Sequence, residues 1–307
     1  MKSSIIIGSR GSKLALVQSN LVMKQLKTRF PHLDCAIKII TTSGDKILTT
    51  SLSAIGGKGL FVKEIEEALL ENTIDIAVHS MKDLPAVIPH ELTIGAILPR
   101  ERPEDVLLTT HKISFSQLPP GSQIGTSSLR RQAQLLAKRP DLTIENLRGN
   151  VDTRIKKLHR KEYDGIVIAY AGLARLNLTH EITEILDFMI PAPCQGAIGI
   201  ECRQNNPEFF SLIQSLDDKK TRIVIEAERA FLEEIGGGCQ IPMGAIAKIT
   251  RDTHLHIQGF VSSSDGKACI TQAMQGSIKE NITTGKILAQ NILKSGGRDI
   301  LNKITQT

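Results

Sequence analysis

Lys82 and Asp83 stand side by side within the heptapeptide HSMKDLP, which covers residues 79–85. The residues directly before it, IDIAV at 74–78, form the short apolar run that is typical of a buried strand. An acid and a base therefore follow a strand where it leaves the core, which is where open α/β sheets usually bind ligands. From these residues alone, a surface salt bridge and a functional site are equally good interpretations of the pair.

Arginines recur where a predicted strand gives way to a predicted helix. Four such junctions carry them, at Arg10, at Arg130 and Arg131, at Arg148 and Arg154, and at Arg175. A cation at a helix N-terminus is unfavourable unless an anion accompanies it, so the arginines imply a missing anion. Each junction by itself is also compatible with an ordinary turn and a solvated arginine. Their repetition at one topological position favours a ligand with several negative groups.

Cys239 lies in the run GGGCQIP, where small neighbours leave its sulfur sterically open for covalent chemistry on a loop. Most free cysteines are simply buried small hydrophobic residues, and that alternative stays open. No His or Asp lies close in the sequence to activate the thiol as a hydrolytic nucleophile. His254 and His256 share a predicted strand face without a third ligand in view, so no metal site is predicted.

The elements that position these residues alternate between strand and helix along most of the chain. One predicted helix has Leu14, Val17, Leu21 and Val22 on its apolar face. A polar stretch at 42–59 predicts a mobile loop, and the proline-flanked breaks at 99–103 and 190–196 predict domain boundaries. After the first break, residues 105–109 are predicted to form a strand. After the second break, a helix, three strands at about 245–250, 254–261 and 268–275, and a final helix predict a small α+β domain.

The composition limits the partners that the chain can bind. Its 307 residues carry a formal net charge of +6, which admits nucleic acids or small polyanions. Aromatic residues make up only 3% of the chain and tryptophan is absent, which argues against base stacking. No apolar run approaches the roughly 20 residues needed to span a bilayer. We therefore expect a cytoplasmic protein that contacts neither nucleic acid nor membrane, with a DNA recognition helix at 127–138 as the weaker alternative.

Six motifs, in this order, closely resemble those of the porphobilinogen deaminase (hydroxymethylbilane synthase) family: SRGSKLAL, GGKGLFVKEIE, AVHSMKDLP, IGTSSLRRQAQL, LRGNVDTRI and GGGCQIPMGA. The resemblance covers essentially the whole chain. It implies an α/β fold of two doubly wound periplasmic-binding-protein-like domains plus a small α+β C-terminal domain. The implied division is 1–99 with 194–216, then 100–193, then 217–307.

The resemblance also implies the chemistry. The family joins four porphobilinogen units head to tail with loss of ammonia, and it works from a covalent dipyrromethane cofactor whose thioether maps to Cys239. Asp83 matches the catalytic aspartate, whose carboxylate would stabilise the azafulvene cation left by ammonia and help to move protons. The implied carboxylate-binding residues are Arg10, Ser12, Lys82, Thr126, Ser128, Arg130, Arg131, Arg148, Arg154 and Arg175.

Further expectations concern motion, assembly and one departure from the family pattern. Lys58 and Phe61 fall at the predicted lid, and the breaks near Pro99 and Pro193 are the predicted hinges. A monomer is expected. Cys194 stands where a glycine or another small residue is expected, and no role is carried over to it. The strongest alternative from another class is a non-enzymatic anion-binding module in which Asp83 and Cys239 are structural.

Overall fold

The computed structural model describes residues 4–46, 62–236 and 241–305. Lys58, Phe61, Cys239 and most of the predicted lid lie outside these residues. The chain divides into two compact units. Of the described residues, the first unit comprises 4–46, 62–101 and 196–222, and the second comprises 102–195, 223–236 and 241–305.

Strands and helices alternate along the described chain. In chain order the strands are β1 Ser4–Ser9, β2 Asp34–Ile39, β3 Ile76–Ser80, β4 Leu92–Ile97, β5 Asp105–Thr109, β6 Gln123–Gly125, β7 Thr143–Glu145, β8 Gly165–Ala169, β9 Glu184–Ile185, β10 Ile198–Arg203, β11 Met243–Thr250, β12 His254–Ser262 and β13 Cys269–Ser277. The helices are α1 Lys13–Arg29, α2 Ser43–Lys46, α3 Lys63–Leu70, α4 Leu129–Lys138, α5 Val151–His159, α6 Tyr170–Arg175, α7 Pro207–Gln214, α8 Lys219–Ile235, α9 Asn281–Ile292 and α10 Arg298–Thr305.

The first unit is built on a five-stranded sheet of order β2-β1-β3-β10-β4. Strand β1 is parallel to β2 and β3, whereas β10 runs antiparallel to both β3 and β4. One face of this sheet packs on α1 and α7 through Ile5, Ile7, Val22 and Phe209. The other face packs on α3 through Ile65, Leu69 and Ala77. Because β10 inserts between β3 and β4, the sheet is complete only after the chain returns at residue 198.

The second unit contains a five-stranded sheet of order β7-β6-β8-β5-β9. Strand β6 is parallel to β7 and β8, and β5 is antiparallel to β8 and β9. Strands β5 and β8 are buried along their whole length, as expected for central strands covered on both faces. Two apolar clusters, one around Leu107 and Val167 and one around Val106 and Ile166, fill the two faces. The doubly wound fold class is therefore observed in both units.

A separate three-stranded antiparallel sheet, of order β11-β12-β13, also belongs to the second unit. Helices α9 and α10 pack on it. These elements are the predicted small α+β region, with three strands near the expected residues. No helix of the described residues has both the length and the hydrophobicity needed to span a bilayer.

The predicted apolar face of α1 is wrong. Val17 and Leu21 are 37% and 38% exposed, whereas Gln18 and Ser19 are buried beside Val22. The helix rotates Gln18 inward because its amide exchanges two hydrogen bonds with Ser80 at the end of β3. A polar contact at this strand end therefore outweighs the burial of two apolar side chains.

Candidate active site

The Asp83 turn, the 3-10 turn Met81–Asp83, continues β3 beyond the edge of the first sheet. Met81 is 1% exposed and Leu84 is 3% exposed, so buried side chains hold the turn on both sides of the charged pair. Between these anchors Lys82 is half-buried and Asp83 is exposed. The buried side chains of Met81 and Leu84 therefore anchor the backbone of the turn, and the Asp83 carboxylate is exposed at the end of β3.

Strand β10 supports the turn from beneath. The Met81 backbone N–H donates to the Ala197 carbonyl at 3.0 Å. The Met81 side chain occupies the space over Gly199, where an added Cβ would stand 2.1 Å from the Met81 Sδ. Glycine at 199 is thus required by close approach, because any larger residue would displace the side chain that anchors the turn.

Arg10 and Ser12 lie at the same edge of the first sheet as the Asp83 turn. The reason is that β1 and β3 are adjacent and parallel, with Gly8 opposite Ala77, so both strands end at one edge. Ser12 is the N-cap of α1 and accepts a hydrogen bond from the Ala15 N–H at 3.3 Å. The first turn of α1 contains no acidic residue, and its remaining N–H groups suit an anion.

Gln18 also lies at this edge and was not predicted as a site residue. Its side-chain amide donates to the Ser80 Oγ at 2.8 Å, while the Ser80 hydroxyl is 3.2 Å from the Gln18 Oε1. Gln18 is 3% exposed and connects α1 to the residue that precedes the Asp83 turn. In the sequence, the only sign of this contact is a glutamine that lies between apolar residues of the predicted helix. Helical periodicity does not identify the residue to which it is hydrogen-bonded.

Three parallel strands of the second unit, β7, β6 and β8, end at one edge of their sheet. The residues that follow those strands include Thr126, Ser128, Arg148, Arg154 and Arg175. Ser128 caps α4 by accepting from the Arg131 N–H, and the Thr126 Oγ1 accepts from the Ser128 N–H at 3.2 Å. Arg148 lies between β7 and α5 and Arg154 lies in the first turn of α5, as predicted, whereas Arg175 is the last residue of α6 rather than a residue of its start.

The arginines of this edge are only partly exposed. Arg148, Arg154 and Arg175 are each of intermediate burial. The Arg154 Nε donates to the Gly149 carbonyl at 2.7 Å, in a turn where Gly149 has a φ of +110°. Burial lowers the pKa of Arg148, although a guanidinium remains charged at neutral pH. The edge thus offers fixed cationic groups beside the N–H groups of helix starts.

Arg130 and Arg131 have an anion within the protein. The Arg130 Nη1 donates to the Asp105 Oδ2 at 2.6 Å, and the Arg131 Nε donates to the Asp105 Oδ1 at 3.0 Å. Gln195 also donates to that carboxylate, and all three charged side chains are buried. Sequence analysis inferred a missing anion here, and Asp105 supplies part of it. A DNA recognition helix needs its basic side chains in solvent, so this burial does not favour that alternative.

Two opposing effects set the pKa of Asp105. Burial disfavours its charged form, but attraction to Arg130 and Arg131 outweighs burial and lowers the pKa of the carboxyl far below its usual range. Burial lowers the pKa of Arg131, and Asp105 opposes that change. Since a guanidinium pKa starts above 12, Arg131 stays protonated. The cluster therefore contains a permanent carboxylate and two permanent cations.

Cys194 follows the second proline-flanked break and has a φ of +65°. This left-handed region favours glycine, which explains why a glycine was expected there. The Cys194 N–H donates to the Glu228 Oε2 at 2.6 Å, and the Ala247 N–H donates to the Glu228 Oε1 at 2.8 Å. The strained residue is thus held by a buried carboxylate that also binds the third sheet.

The cofactor that the resemblance implies carries acetate and propionate groups, so its site must supply several donors for carboxylates. The described strand ends supply guanidinium groups, a hydroxyl-lined helix start and half-buried surroundings that strengthen charge pairing. These residues fit the group. Cys239, to which the thioether maps, lies outside the described residues. Among the described residues no three His, Cys, Asp or Glu side chains are grouped to hold a metal ion.

Two family models, both of porphobilinogen deaminase, together match most of the chain. The family described as "Porphobilinogen deaminase, dipyromethane cofactor binding domain" matches residues 5–211. The family described as "Porphobilinogen deaminase, C-terminal domain" matches residues 222–294. Among solved structures, the methionine-binding protein MetQ covers 70% of this chain and 89% of its own, with a TM-score of 0.46 and 14% identity.

Curated relatives match over nearly their full length. The porphobilinogen deaminase of Roseiflexus sp. is 49% identical over 98% of this chain and 99% of its own. That of Syntrophotalea carbinolica is 48% identical over 97% and 95%, and that of Bacillus subtilis is 44% identical over 99% and 97%. The arginine-bearing strand ends, the Asp83 turn and these matches lead to one conclusion. The chain belongs to the porphobilinogen deaminase family.

Proposed function

We propose that Asp83 is the catalytic carboxylate of the reaction that this chain performs. As a hydroxymethylbilane synthase, the chain is a transferase that polymerises porphobilinogen into hydroxymethylbilane in tetrapyrrole synthesis. The observation that carries the proposal is the Asp83 turn, in which buried Met81 and Leu84 hold an exposed carboxylate at a parallel strand end. Such a carboxylate is positioned in advance and needs no reorganisation when charge develops.

The role of Asp83 follows from the charge changes of the reaction. Loss of ammonia from the aminomethyl group of porphobilinogen leaves positive charge spread over the pyrrole ring. A carboxylate beside the pyrrole N–H stabilises that charge, and it can accept a proton when the ring regains aromaticity. Lys82, adjacent in the same turn, bears the opposite charge and therefore suits a substrate carboxylate instead.

The remaining predicted site residues would bind carboxylates at two described strand edges. In the first unit these residues are Arg10, Ser12 and Lys82. In the second unit they are Thr126, Ser128, Arg130, Arg131, Arg148, Arg154 and Arg175. The planar guanidinium fork matches a carboxylate with two parallel hydrogen bonds, which favours arginine over lysine for this task. For Arg130 and Arg131, only donors not used by Asp105 or by the Ile190 and Val167 carbonyls would serve.

The cofactor is dipyrromethane, and we assign its attachment to the thiol of Cys239. When bound, it supplies the pyrrole carbon to which the first substrate is joined. The arginines at the second unit's strand edge would hold its carboxylates and thereby fix its orientation. Lys58 and Phe61 would belong to a lid over the reacting groups. Support for this proposal comes from the family match over residues 5–211, which names a cofactor-binding domain.

We further propose three domains, with 1–99 and 194–216 in the first, 100–193 in the second and 217–307 in the third. The separate β11-β12-β13 sheet and the distinct family match over 222–294 support this division. The chain would act as a cytoplasmic monomer without nucleic acid. The dispersed arginines and the burial of Arg130 and Arg131 support the last point.

Intact-mass spectrometry of the purified protein tests these assignments. The mass should exceed the sequence mass by one covalent dipyrrole, and Cys239→Ser should abolish that increment. A plain sequence mass in folded wild-type protein would contradict the cofactor assignment. Asp83→Ala should keep the increment and lose turnover by a factor of about 100 or more. Near-normal turnover in Asp83→Ala would show that Asp83 is not the catalytic carboxylate.

A further inference from the structure

The turn between β12 and β13, residues 263–268, lies directly against the backbone of α4. We call it the Gly266 turn. Gly266 has a φ of +73°, and a Cβ added there would overlap the Ala133 carbonyl oxygen and stand 2.9 Å from the Ala137 backbone nitrogen. No residue with a side chain fits in that space without moving the turn or the helix. Glycine at 266 therefore allows the third sheet to pack on the helix that begins at Ser128.

A second contact with α4 is made by residues 190–195, which we call the connecting segment. The Ile190 N–H donates to the Gln134 Oε1 at 2.7 Å, and the Ile190 carbonyl accepts from the Gln134 Nε2 at 3.1 Å. That carbonyl also accepts from the Arg130 Nη1 at 2.9 Å. Gln134 thus binds both backbone groups of Ile190, and it holds the carbonyl that helps to orient the Arg130 guanidinium.

The third sheet and α8 bind the connecting segment as well. The Ala245 N–H of β11 donates to the Pro191 carbonyl at 3.1 Å. A Cβ added at Gly244 would stand 2.6 Å from the Pro191 carbonyl oxygen, so the β11 backbone lies directly on the segment. The Glu228 carboxylate of α8 accepts from the Cys194 N–H at 2.6 Å. The connecting segment is therefore bound to α4, to β11 and to α8.

The elements bound in this way include the two that flank residue 239. Helix α8 ends at Ile235, and β11 begins at Met243. Glu228 joins these two elements to each other, because its second oxygen accepts from the Ala247 N–H of β11 at 2.8 Å. The contacts of the Gly266 turn and of the connecting segment therefore relate the start of α4 to both ends of the loop that contains residue 239. Residues 102–195 accordingly fall in one compact unit with residues 223–236 and 241–305.

We propose that Gly266 and Gln134 are positioning residues, which fix the arginines at the start of α4 relative to the two elements that flank Cys239. The inference rests on the proposed attachment of the cofactor to Cys239, and neither positioning residue acts on the substrate directly. The arginines of α4 keep one distance from the ends of α8 and β11 throughout elongation. In this arrangement the segment near Pro193 is fixed and is not a hinge.

The first test compares Gly266→Ala with Gly121→Ala in the cofactor-loaded enzyme. The φ angles are +73° and +80°, so the two substitutions strain the backbone alike. Only at Gly266 does the added methyl meet another element, since no atom of the described residues lies within 4 Å of a Cβ at Gly121.

Gly266→Ala should lower kcat about tenfold and change KM less than about threefold, because a shift of α4 disturbs the geometry of the cofactor more than the binding of the substrate. Gly121→Ala should keep both constants within about twofold of wild type, because strain alone does not move α4.

Gln134→Met is a second variant that leaves the backbone unstrained. It removes both hydrogen bonds to Ile190 and should lower kcat with the same small change in KM. Gln132→Met, two residues away on the same helix, is its matched control and should behave as wild type.

Hydrogen exchange provides a readout besides activity. In Gly266→Ala and Gln134→Met the amides of Ile190, Cys194 and Ala245 should exchange about tenfold faster, while β5 and β8 exchange as in wild type. Acceleration of all these amides alike would indicate a general loss of stability and would overturn the proposal. Wild-type exchange, or wild-type kinetics, in both variants would also overturn it. Should Cys239→Ser keep the dipyrrole mass increment while the three amides respond as expected, the proposed function fails and the fixed junction of α4 with the third sheet stands.

Discussion

The two five-stranded sheets have the same plan. In each sheet three parallel strands are followed by a fourth strand that runs antiparallel to both of its neighbours. In the first sheet that fourth strand, β10, comes from outside the local run of the chain, whereas in the second sheet the fourth strand, β5, begins the run. Both fourth strands carry a buried acid, Glu201 in β10 and Asp105 in β5. The scaffold is therefore repeated, and the partners of the acid differ.

The difference between the partners is one of charge. Asp105 pairs with two guanidinium groups, which lower its pKa far below the usual range and keep it ionised around neutral pH. The Glu201 Oε2 lies 3.0 Å from the His79 Nε2, and burial and the charge of Glu201 raise the pKa of Glu66 on α3, so the charge around Glu201 depends on bound protons. The register differs too, since Asp105 opposes the last residue of β8 whereas Glu201 opposes Ala77 within β3. One fold thus accommodates a permanent ion cluster and a titratable one on equivalent strands.

Asp105→Asn should produce the largest effect, because it leaves two buried guanidinium groups without their carboxylate. Breaking a buried ion cluster typically costs about 3–5 kcal/mol, and we expect that loss in the free energy of unfolding measured in urea. The loss should be constant between about pH 5 and 8, since the depressed pKa of Asp105 keeps it ionised throughout.

Asp141→Asn is the control for that experiment. Its partner Arg139 is a surface group, and little change in stability should follow. If Asp105→Asn proved as mild as Asp141→Asn, the two sheets would not differ in the way described, because the ion cluster would then contribute nothing beyond a surface pair.

Gly199→Ala tests a further difference between the fourth strands, which is that β10 contains a glycine packed against Met81 and β5 contains no glycine. The added methyl would meet the Met81 Sδ, and overpacking of this kind costs about 1–3 kcal/mol. Turnover should fall as well, because the displaced side chain anchors the Asp83 turn. Combining Gly199→Ala with Met81→Val should recover part of the stability in a thermal unfolding series. Additive losses would show that the two positions are not coupled.

Glu66→Gln should give the smallest effect and the one that depends on pH. The pKa of Glu66 is raised, so between 4.5 and about 7 the folded chain binds more protons than the unfolded chain. The free energy of unfolding therefore falls as pH rises through this interval, and that component is lost in Glu66→Gln. Because Glu66 is only partly buried, water screens the effect, and the variant should be more stable than wild type by about 1 kcal/mol at pH 8. Equal slopes of stability against pH would contradict the assignment of a titratable cluster to the first sheet.

The sequence was a good guide wherever local chemistry decides the structure. Strand β5 was predicted at its observed residues, and the three strands of the small sheet were predicted within a few residues. Arginines at 10, 130, 131, 148 and 154 correctly indicated strand-to-helix junctions, because that position is a local property of the chain, whereas Arg175 ends α6.

Long-range partners could not be predicted in the same way. The carboxylate that binds Arg130 comes from β5, which periodicity identifies only as a buried strand. The insertion of β10 between β3 and β4 was not predicted, since nothing in the residues of β10 specifies a neighbouring strand. The contact between Gln18 and Ser80, which are distant in the chain, buries Gln18 and leaves Val17 and Leu21 of the expected face of α1 exposed. Glu66 and Glu201 read as ordinary acids until the fold places them on one buried face.

The insertion of β10 also has a consequence for the order in which the protein forms during synthesis. All five strands of the second sheet lie between residues 105 and 185, so that sheet can be completed before β10 leaves the ribosome. The first sheet begins at residue 4 yet lacks its fourth strand until residue 203 has been made. The sheet that begins at the N-terminus can therefore be completed only after the middle of the chain has been synthesised. The Asp83 turn, whose backbone binds Ala197, takes its final form only after the second sheet already exists.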